Sequence, residues 1–351
     1  MPCHSPRGAD RRERRQGTVP GRGRLVHHRH PAAGGRRGGP VGEPRGGAGC
    51  LVLVTRSLLS TPGNKPRMLE KALGSGADAV MFDLEDSVPA PEKELARGLV
   101  SRQLETAGTT AAAMYVRVNS WESGRAEDDL AAVVTPALRG IVLPKVETVD
   151  AVRQIDALLE RLEQRAGMGF EQVDLALALE TARGVWFVFD LAVVTRRTRT
   201  VLIGTAEGGD LQTDLRSSWS AAGPELLYAR SRVVMGARAA GADNILDGAY
   251  SNFKDQEGLA ADSRLSRRLG YRGRMLIHPS QVETANRIYT PTAAEIEFSS
   301  RVLAALEEAA AANQGATSID GVMIDSAMAR QARAILDEVD QQAESSPRGS
   351  R

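Results

Sequence analysis

Short apolar runs alternate with longer amphipathic stretches along the chain from residue 51 onwards. The apolar runs are bounded mostly by Gly, Pro, Asn or Asp, which is typical of buried strands in a parallel sheet. They predict eight strands, at 52–60, 79–84, 113–118, 139–144, 173–179, 200–205, 243–247 and 273–277.

Helical stretches fill the intervals after the strands. The predicted helices lie at 65–75, 91–107, 125–135, 148–166, 184–197, 224–241, 254–270 and 280–289. Eight strand–helix units over about 240 residues match the usual size of a (β/α)8 barrel. The alternative is a doubly wound open sheet, but no glycine-rich dinucleotide turn follows the first strand. The pattern therefore predicts an α/β fold of the (β/α)8, or TIM barrel, type.

Further segments flank the predicted barrel. An Ala-rich helix is predicted over 292–313, a turn runs from Gly315 to Gly321, and a last helix covers 325–340. The division that follows is an Arg/Gly-rich extension (1–50), a catalytic barrel (51–291), a C-terminal helical extension (292–344) and a frayed tail (345–351).

Residues 1–50 are rich in Arg, Gly, Pro and His and have no hydrophobic period. This composition favours disorder, because the segment cannot bury enough apolar surface to order itself. A translated stretch upstream of the natural start site, in GC-rich DNA, is one origin for such an extension. The alternatives are a basic arm that binds nucleic acid or acidic surfaces, and a targeting peptide, although Gly and Pro are too frequent for a good amphipathic helix.

Deleting residues 1–50 is expected to leave the melting temperature and any catalytic activity unchanged, because their composition cannot support a core. Scanning calorimetry of the full-length and shortened chains measures this directly. A large fall in the melting temperature on truncation would show that the segment packs on the barrel.

Charge and cysteine usage narrow the functional class. The formal net charge is +1, but residues 51–351 hold 34 basic and 41 acidic side chains (34 − 41 = −7), so this part shows no nucleic-acid surface. Both cysteines lie in the first fifty residues, which excludes a disulfide framework and a thiolate site from the barrel. His278 is the sole histidine after residue 50, which argues against a His-ligated zinc site and a Ser-His-Asp triad within one subunit. No membrane-spanning run or signal peptide is present, so a cytoplasmic enzyme is expected.

Two carboxylates follow neighbouring strands at matching places. Glu180 ends the apolar run that begins at Val173, and Asp210 ends the next run, about 30 residues later, the length of one strand–helix–strand unit. Both side chains should therefore lie at the carboxyl ends of adjacent parallel strands, where barrels place their catalytic groups. Two oxygen ligands with no histidine near them suit Mg2+ completed by water and a chelating substrate.

Several blocks, in order and spacing, carry a family resemblance. The sequence shows RSLLSTPGN at 56–64, MFDLEDSV at 81–88, VRVN at 116–119, LPKVE at 143–147, LETARG at 179–184, IHPSQ at 277–281 and DGVMID at 320–325. The set resembles the citrate lyase β-subunit/malyl-CoA lyase family of the HpcH/HpaI aldolase superfamily, over about residues 54–340. The resemblance implies a Mg2+-dependent (β/α)8 barrel that makes or breaks a carbon–carbon bond between a 2-oxo acid and an acyl-CoA.

The resemblance also implies roles for individual residues. Glu180 and Asp210 match the metal ligands, although Gly209 stands where the family has an acid or Asn, so Glu207 either assists Asp210 or replaces it. Asp325 matches an aspartate that reaches a neighbouring subunit's active site and handles the proton at the acyl-CoA methyl carbon, which implies a homotrimer or a multiple of one. Asp320 is the competing proton carrier, and a helix N-cap is the alternative role for Asp325.

Cationic residues near the strand ends are candidate substrate contacts. Arg117 ends the third strand, where its fork suits a substrate carboxylate; the alternative is a structural ion pair with Asp83 or Glu85. Arg56, placed within the first strand, resembles an arginine that faces acidic substrate or CoA groups, with Glu85 as the alternative partner. Lys145 is a candidate substrate contact or ion-pair partner, and a Schiff base is its rival role. The resemblance suggests that His278 lies near CoA or has a structural role. Asp83, Glu85 and Asp86 either surround the metal-bound waters and pair with arginines, or cap a helix.

We therefore expect a Mg2+-dependent lyase that acts on a malyl-CoA-like or citramalyl-CoA-like ester. The alternatives are a citrate lyase β subunit that acts on a citryl thioester, a class II 2-oxo-acid aldolase without CoA, and a non-catalytic barrel whose basic arm binds nucleic acid. Glu180, Arg117 and Asp325 argue against the last of these, because a scaffold does not require them.

Overall fold

Eight parallel strands close into a barrel, with each strand paired to the next and β1 also paired to β8. The structure is a computed structural model that describes residues 54–108 and 110–345. The strands are β1 Ser57–Pro62, β2 Ala79–Asp83, β3 Ala113–Arg117, β4 Gly140–Leu143, β5 Asp174–Leu179, β6 Thr200–Ile203, β7 Asn244–Asp247 and β8 Gly273–Leu276. The predicted barrel is confirmed, whereas the predicted states of 1–50 and 346–351 lie outside the described residues.

Helices cover the outside of the barrel and extend beyond it. They are α1 Pro66–Leu73, α2 Lys93–Thr106, α3 Ala126–Val133, α4 Val149–Arg165, α5 Ala182–Trp186, α6 Val188–Ala192, α7 Asp210–Leu215, α8 Pro224–Ala239, α9 Gln256–Leu269, α10 Val282–Tyr289, α11 Ala293–Ala311 and α12 Ser326–Ser345. Within the described residues, no helix is long and apolar enough to cross a membrane.

Three local predictions were wrong. The first strand begins at Ser57 rather than at residue 52, which leaves Arg56 outside it. The single helix predicted over 184–197 is two short helices that meet at Phe187, whose backbone (φ −100°, ψ 20°) leaves the helical region. The loop after β6 contains an unpredicted helix, α7, because Gly208 at φ 70° turns the chain so that Asp210 starts a new helical turn.

The inside of the barrel is filled by side chains at alternate strand positions. Leu58, Met81, Tyr115 and Ala178 belong to this inner cluster, whereas intervening residues such as Val80 pack against the helices. Because side-chain directions alternate along a strand, the residues two positions after Met81, Tyr115 and Ala178 also face the inside of the barrel.

The C-terminal extension is a helical hairpin with a small sheet at its turn. The antiparallel strands β9 Thr317–Ile319 and β10 Val322–Ile324 join α11 to α12, and Val302, Ile319, Ile324 and Ala332 form a separate apolar cluster there. Arg272, just before β8, contacts Glu338 of α12 at 2.6 Å. This ion pair ties the far part of α12 to the amino-terminal end of the barrel.

Candidate active site

Three charged side chains meet inside the carboxyl-terminal mouth of the barrel. Asp83, Arg117 and Glu180 stand two positions beyond inward-facing residues of β2, β3 and β5, so strand alternation aims them at the barrel axis. Asp83 and Arg117 are also direct neighbours in the pairing of β2 with β3. The sequence pattern therefore brings together the residues that were predicted from separate motifs.

Arg117 is held by a two-pronged interaction with Asp83. Its Nε lies 2.8 Å from Asp83 Oδ1, and a terminal nitrogen lies 2.7 Å from Oδ2. The other terminal nitrogen lies 3.3 Å from Glu85 Oε2 and 3.6 Å from Glu180 Oε1. The edge of the guanidinium formed by Nε and one terminal nitrogen is thus fixed. The remaining nitrogen makes longer contacts with Glu85 and Glu180, which a substrate carboxylate could replace.

Glu180 is the least satisfied acid at the mouth. Its side chain is 11% exposed, and its Oε2 is buried without a hydrogen-bond partner. Burial raises the pKa of this carboxyl to about 7, against the opposing charge of Arg117. Gly204, directly after β6, leaves room for it, since a Cβ there would lie 3.0 Å from Glu180 Cγ. A buried carboxylate oxygen without a partner is a position that a cation or a ligand would occupy.

Lys145 links the acidic loop after β2 to the loop after β6. Its Nζ lies 2.8 Å from Glu85 Oε1, 3.0 Å from Asp86 Oδ1 and 3.4 Å from Asp210 Oδ2. Burial alone would lower the pKa of Lys145, but the hydrogen bonds to Glu85 and Asp86 outweigh it and raise the pKa. A lysine held protonated in this way is a poor Schiff-base nucleophile.

Asp210 is the first residue of α7, and half of its side chain is exposed. Its charge nevertheless acts on Glu180. Glu207 is exposed, and its backbone N–H donates to Ser251 Oγ at 3.1 Å. Lys145 connects Asp210 to the acidic loop, and this contact supports Asp210 over Glu207 as the candidate second metal ligand.

The carboxylate oxygens at the mouth fit Mg2+. Glu180 Oε2 and Glu85 Oε2 are both buried without hydrogen-bond partners, and the donor set is entirely oxygen. In the described part of the chain, no group of three His, Cys, Asp or Glu side chains is arranged to hold a metal. Mg2+ is commonly held by one or two carboxylates and keeps several waters, so two carboxylates such as those of Glu180 and Asp210 would be enough for a site.

Arg56 does not lie at this site. It directly precedes β1 at the amino-terminal end of the barrel, the end opposite to Glu180. Its guanidinium pairs with Asp78 at 2.6 Å and donates to Thr290 at 2.9 Å. The prediction that Arg56 sits within the first strand was wrong, and its partner is Asp78 rather than Glu85. The geometry gives no support to Arg56 as a substrate contact at the mouth.

His278 follows β8 and shapes its own loop. The exposed imidazole caps a short 3-10 turn by accepting from Ser280 N–H, and it stacks on Phe253 with ring centres 4.6 Å apart. A ring fixed in this way has a structural function in the loop. A contact between His278 and CoA stays a prediction.

Asp325 caps the last helix. Its Oδ1 accepts from the backbone N–H groups of Ala327 at 2.8 Å and Met328 at 3.2 Å. The competing Asp320 forms an ion pair with Arg301 at 2.7 Å in which both side chains are largely exposed. The cap interpretation of Asp325 is therefore correct for the single chain, and its proton-transfer role stays a prediction.

Sequence reasoning missed Lys93 altogether. Its Nζ donates to the carbonyl oxygens of Leu84 and Glu85, at 2.7 Å and 2.6 Å, beneath the acidic loop. The available signal was a lysine in the first turn of the helix that follows the acidic motif, where cations are disfavoured by the helix dipole.

Known proteins resemble this chain in sequence. Residues 56–279 match the family described as HpcH/HpaI aldolase/citrate lyase. Citrate lyase subunit beta of Leuconostoc mesenteroides subsp. cremoris is 35% identical over 284 residues, which cover 81% of this chain and 92% of that protein. The (3S)-malyl-CoA thioesterase of Cereibacter sphaeroides strain ATCC 17025 is 37% identical over 270 residues, which cover 77% of this chain and 89% of that protein.

A solved structure is also similar over the same region. It is the crystal structure of protein CitE from Mycobacterium tuberculosis in complex with magnesium, acetoacetate and coenzyme A. The TM-score is 0.63 at 26% identity, and the match covers 81% of this chain and 97% of that one. The family match spans more than half of the chain, and the curated relatives exceed 30% identity over most of their length. The chain therefore belongs to the HpcH/HpaI aldolase/citrate lyase family of carbon–carbon lyases.

Proposed function

We propose that this protein is a Mg2+-dependent lyase that cleaves or forms a hydroxyacyl-CoA ester of the malyl-CoA or citramalyl-CoA type. The observation that carries the proposal is the buried Glu180 carboxylate with an unpartnered oxygen, placed beside the fixed Arg117 at the barrel mouth. A 2-oxo acid offers a carbonyl oxygen, which a metal held by the carboxylates of Glu180 and Asp210 would bind, and a carboxylate, which the guanidinium of Arg117 would bind.

Arg117 would bind and orient the substrate carboxylate. Its Nε and one terminal nitrogen are occupied by Asp83, so the remaining nitrogen is the one that the substrate would meet. Asp83 is fully buried, and its pKa is lowered because the hydrogen bonds and charge of Arg117 outweigh the effect of burial. The pair therefore stays charged and presents the guanidinium in one orientation.

Glu180 and Asp210 would hold Mg2+, with Glu85 and Asp86 facing its waters. The bound ion would supply Lewis-acid polarisation of the 2-oxo or 2-hydroxy oxygen. Lys145 keeps the acidic loop and the loop after β6 within ion-pair distance of one another.

Asp325 would handle the proton of the acyl group. In the cleavage direction, the hydroxyl proton passes to water, the carbon–carbon bond breaks to give the 2-oxo acid and the thioester enolate, and the enolate takes up a proton at its terminal carbon, which becomes the methyl group, so no proton is gained or lost overall. The proposed donor is Asp325 of a neighbouring subunit, in a homotrimer or a multiple of one. The hairpin that carries Asp325 supports this, because Val322 and Met323 at its tip are 49% and 69% exposed and suit a subunit contact.

Two neighbouring activities have specific support from the relatives. The match to citrate lyase subunit beta favours a citryl thioester as the substrate, and the match to a (3S)-malyl-CoA thioesterase favours hydrolysis of the thioester bond. Both would use the same mouth, since Arg117 and Glu180 recognise the acid part of the substrate in each case. A class II aldolase without CoA stays a weaker alternative, because it leaves the C-terminal extension without a role.

A product assay separates these possibilities. The full-length protein would be incubated with malyl-CoA, citramalyl-CoA and citryl-CoA, each with Mg2+ or with EDTA, and acetyl-CoA and free CoA would be measured by chromatography. The proposal expects acetyl-CoA from malyl-CoA or citramalyl-CoA, only with Mg2+. Free CoA without acetyl-CoA would identify a thioesterase, and release that continues in excess EDTA would contradict a metal-dependent lyase.

Binding of Mg2+ in the absence of substrate is expected to strengthen about tenfold between pH 6 and pH 8. A carboxylate ligand must be deprotonated, and the ionised fraction of a group with a pKa of about 7 rises about tenfold over this interval. Affinity therefore falls as the pH falls through the pKa of Glu180. Titration calorimetry at the two pH values measures the change, and the dependence should vanish in Glu180→Gln. An affinity that is the same at both pH values in the wild type would contradict the assignment.

A further inference from the structure

Lys93 lies beneath the acidic loop and contacts it through backbone atoms. It is the first residue of α2, and its Nζ donates to Leu84 O at 2.7 Å and to Glu85 O at 2.6 Å. The side chain is only partly exposed. Both acceptors are neutral carbonyls, so these bonds hold the peptide units on either side of the Glu85 Cα rather than a carboxylate.

The position of Lys93 is unfavourable for the stability of the fold in two ways. A cation in the first turn of a helix opposes the helix dipole, and burial lowers the pKa of Lys93 despite the charges of Asp83, Glu85, Asp129 and Asp86. An uncharged side chain would avoid both costs. The lysine is therefore best explained by what its two hydrogen bonds hold in place.

The acidic loop is fixed from two sides. Asp83 Oδ1 accepts the N–H of Glu85 at 2.8 Å, and its Oδ2 accepts the N–H of Ser87 at 3.1 Å, while Arg117 holds Asp83 itself. Lys93 binds the carbonyl of the same Glu85 residue from the other side. The backbone of Glu85 thus has both of its polar groups bound by charged side chains.

We propose that Lys93 is a positioning residue that fixes the backbone of Leu84 and Glu85, and so aims the Glu85 carboxylate at Lys145, Arg117 and the waters of the metal site. The part that concerns the metal rests on the proposed function, whereas the part that concerns the loop does not. Arg117 acts on the same loop through Asp83, which accepts the N–H of Glu85, whereas Lys93 donates to the carbonyl of Glu85.

The experiment compares Lys93→Met and Lys93→Arg with the wild type. Lys71→Met, at an exposed position on α1, is the matched control. The first measurement is hydrogen exchange at the amides of Glu85, Ser87 and Val88, all of which are hydrogen-bonded in the loop. The second is the affinity for Mg2+ alone by titration calorimetry, which needs no turnover.

Lys93→Met should speed exchange at these amides at least about tenfold without changing exchange in β5, because an opened loop exposes them locally. It should also weaken Mg2+ binding about threefold to tenfold, since Glu85 is no longer aimed at the site. Lys93→Arg, which keeps a charged donor, should restore most of both properties, and Lys71→Met should change neither. Lys93→Gln is measured in the same way if Lys93→Met does not fold.

Two results would overturn the proposal. One is loop exchange in Lys93→Met that matches the wild type. The other is faster exchange throughout the barrel, with unchanged Mg2+ affinity, which would make the lysine a general stabiliser. A wild type that lacks Mg2+-dependent cleavage would remove the proposed function, but faster local exchange in Lys93→Met would still support the role of Lys93 in holding the backbone of Leu84 and Glu85.

Discussion

Replacing Glu180 with glutamine is expected to reduce carbon–carbon bond cleavage by about three orders of magnitude or more and to weaken Mg2+ binding. Lewis-acid catalysis contributes several kcal/mol to the transition state, and each 1.4 kcal/mol is a tenfold change in rate. Glutamine has nearly the same shape but no charge, so Arg117 should keep its bonds to Asp83 while the proposed metal site would lose its buried carboxylate. Steady-state kinetics and calorimetric titration with Mg2+ measure the two effects.

The fold should survive this change. Glu180 closes a strand whose apolar residues stay buried, so the melting temperature should move by no more than about 2–4 °C, the shift that 1 kcal/mol produces in a domain of this size. Asp210→Asn should also lose most of its activity, whereas the matched control Glu207→Gln should stay within about threefold of the wild type, as surface changes usually do. Wild-type turnover in excess chelator, or unaltered Mg2+ affinity in Glu180→Gln, would rule out the assignment.

Replacing Asp325 with asparagine is expected to abolish solvent-deuterium exchange into the methyl group of acetyl-CoA, while Mg2+ and oxo-acid binding persist. Glu180, Asp210 and Arg117 are untouched by the change. Asparagine is as good a helix cap as aspartate, so the bonds from Ala327 and Met328 can be kept and α12 should stay folded. Mass spectrometry of acetyl-CoA incubated in deuterated buffer with Mg2+ and an oxo acid measures the exchange.

Mixing the Glu180→Gln and Asp325→Asn variants tests whether Asp325 acts across a subunit interface. In a 1:1 mixture with free subunit exchange, about a quarter of the sites would combine an intact Glu180 with a neighbour's intact Asp325, if the two chains that form a site are drawn independently and at random. Activity should therefore return to about a quarter of the wild-type value under this model. If exchange of subunits is demonstrated and no activity returns, Asp325 acts within its own chain or takes no part in the reaction.

Strand alternation explains why much of the candidate site was predictable. Arg117 and Glu180 stand at the ends of apolar runs with clear periodicity, and their spacing along the chain sets them at the same end of a parallel barrel. The resemblance of the motifs added the expected chemistry. Neither route, however, could show that Arg117 uses two of its nitrogens on Asp83, because that pair depends on the register of β2 against β3.

Arg56 shows where the same reasoning fails. The predicted first strand begins at residue 52 and includes Arg56, whereas the observed strand begins at Ser57. This difference of five residues places Arg56 before β1, at the amino-terminal end of the barrel. Strand boundaries are the least reliable part of a prediction from sequence, because apolar periodicity does not mark the residue at which hydrogen-bonded pairing begins. Its pairing with Asp78 follows from that position, since both residues directly precede their strands.

The amino-acid sequence by itself determined the barrel, its eight strand–helix units and the places of Glu180 after β5 and Asp210 after β6, because these follow from local periodicity and spacing. Only the tertiary structure decided which charges face each other. Lys145 reaches the acidic loop from the loop after β4, Lys93 reaches it from α2, and Glu180 keeps an unpartnered oxygen. Such contacts join residues far apart in the chain, and the burial that raises the pKa of Glu180 arises only when all eight strands close around it.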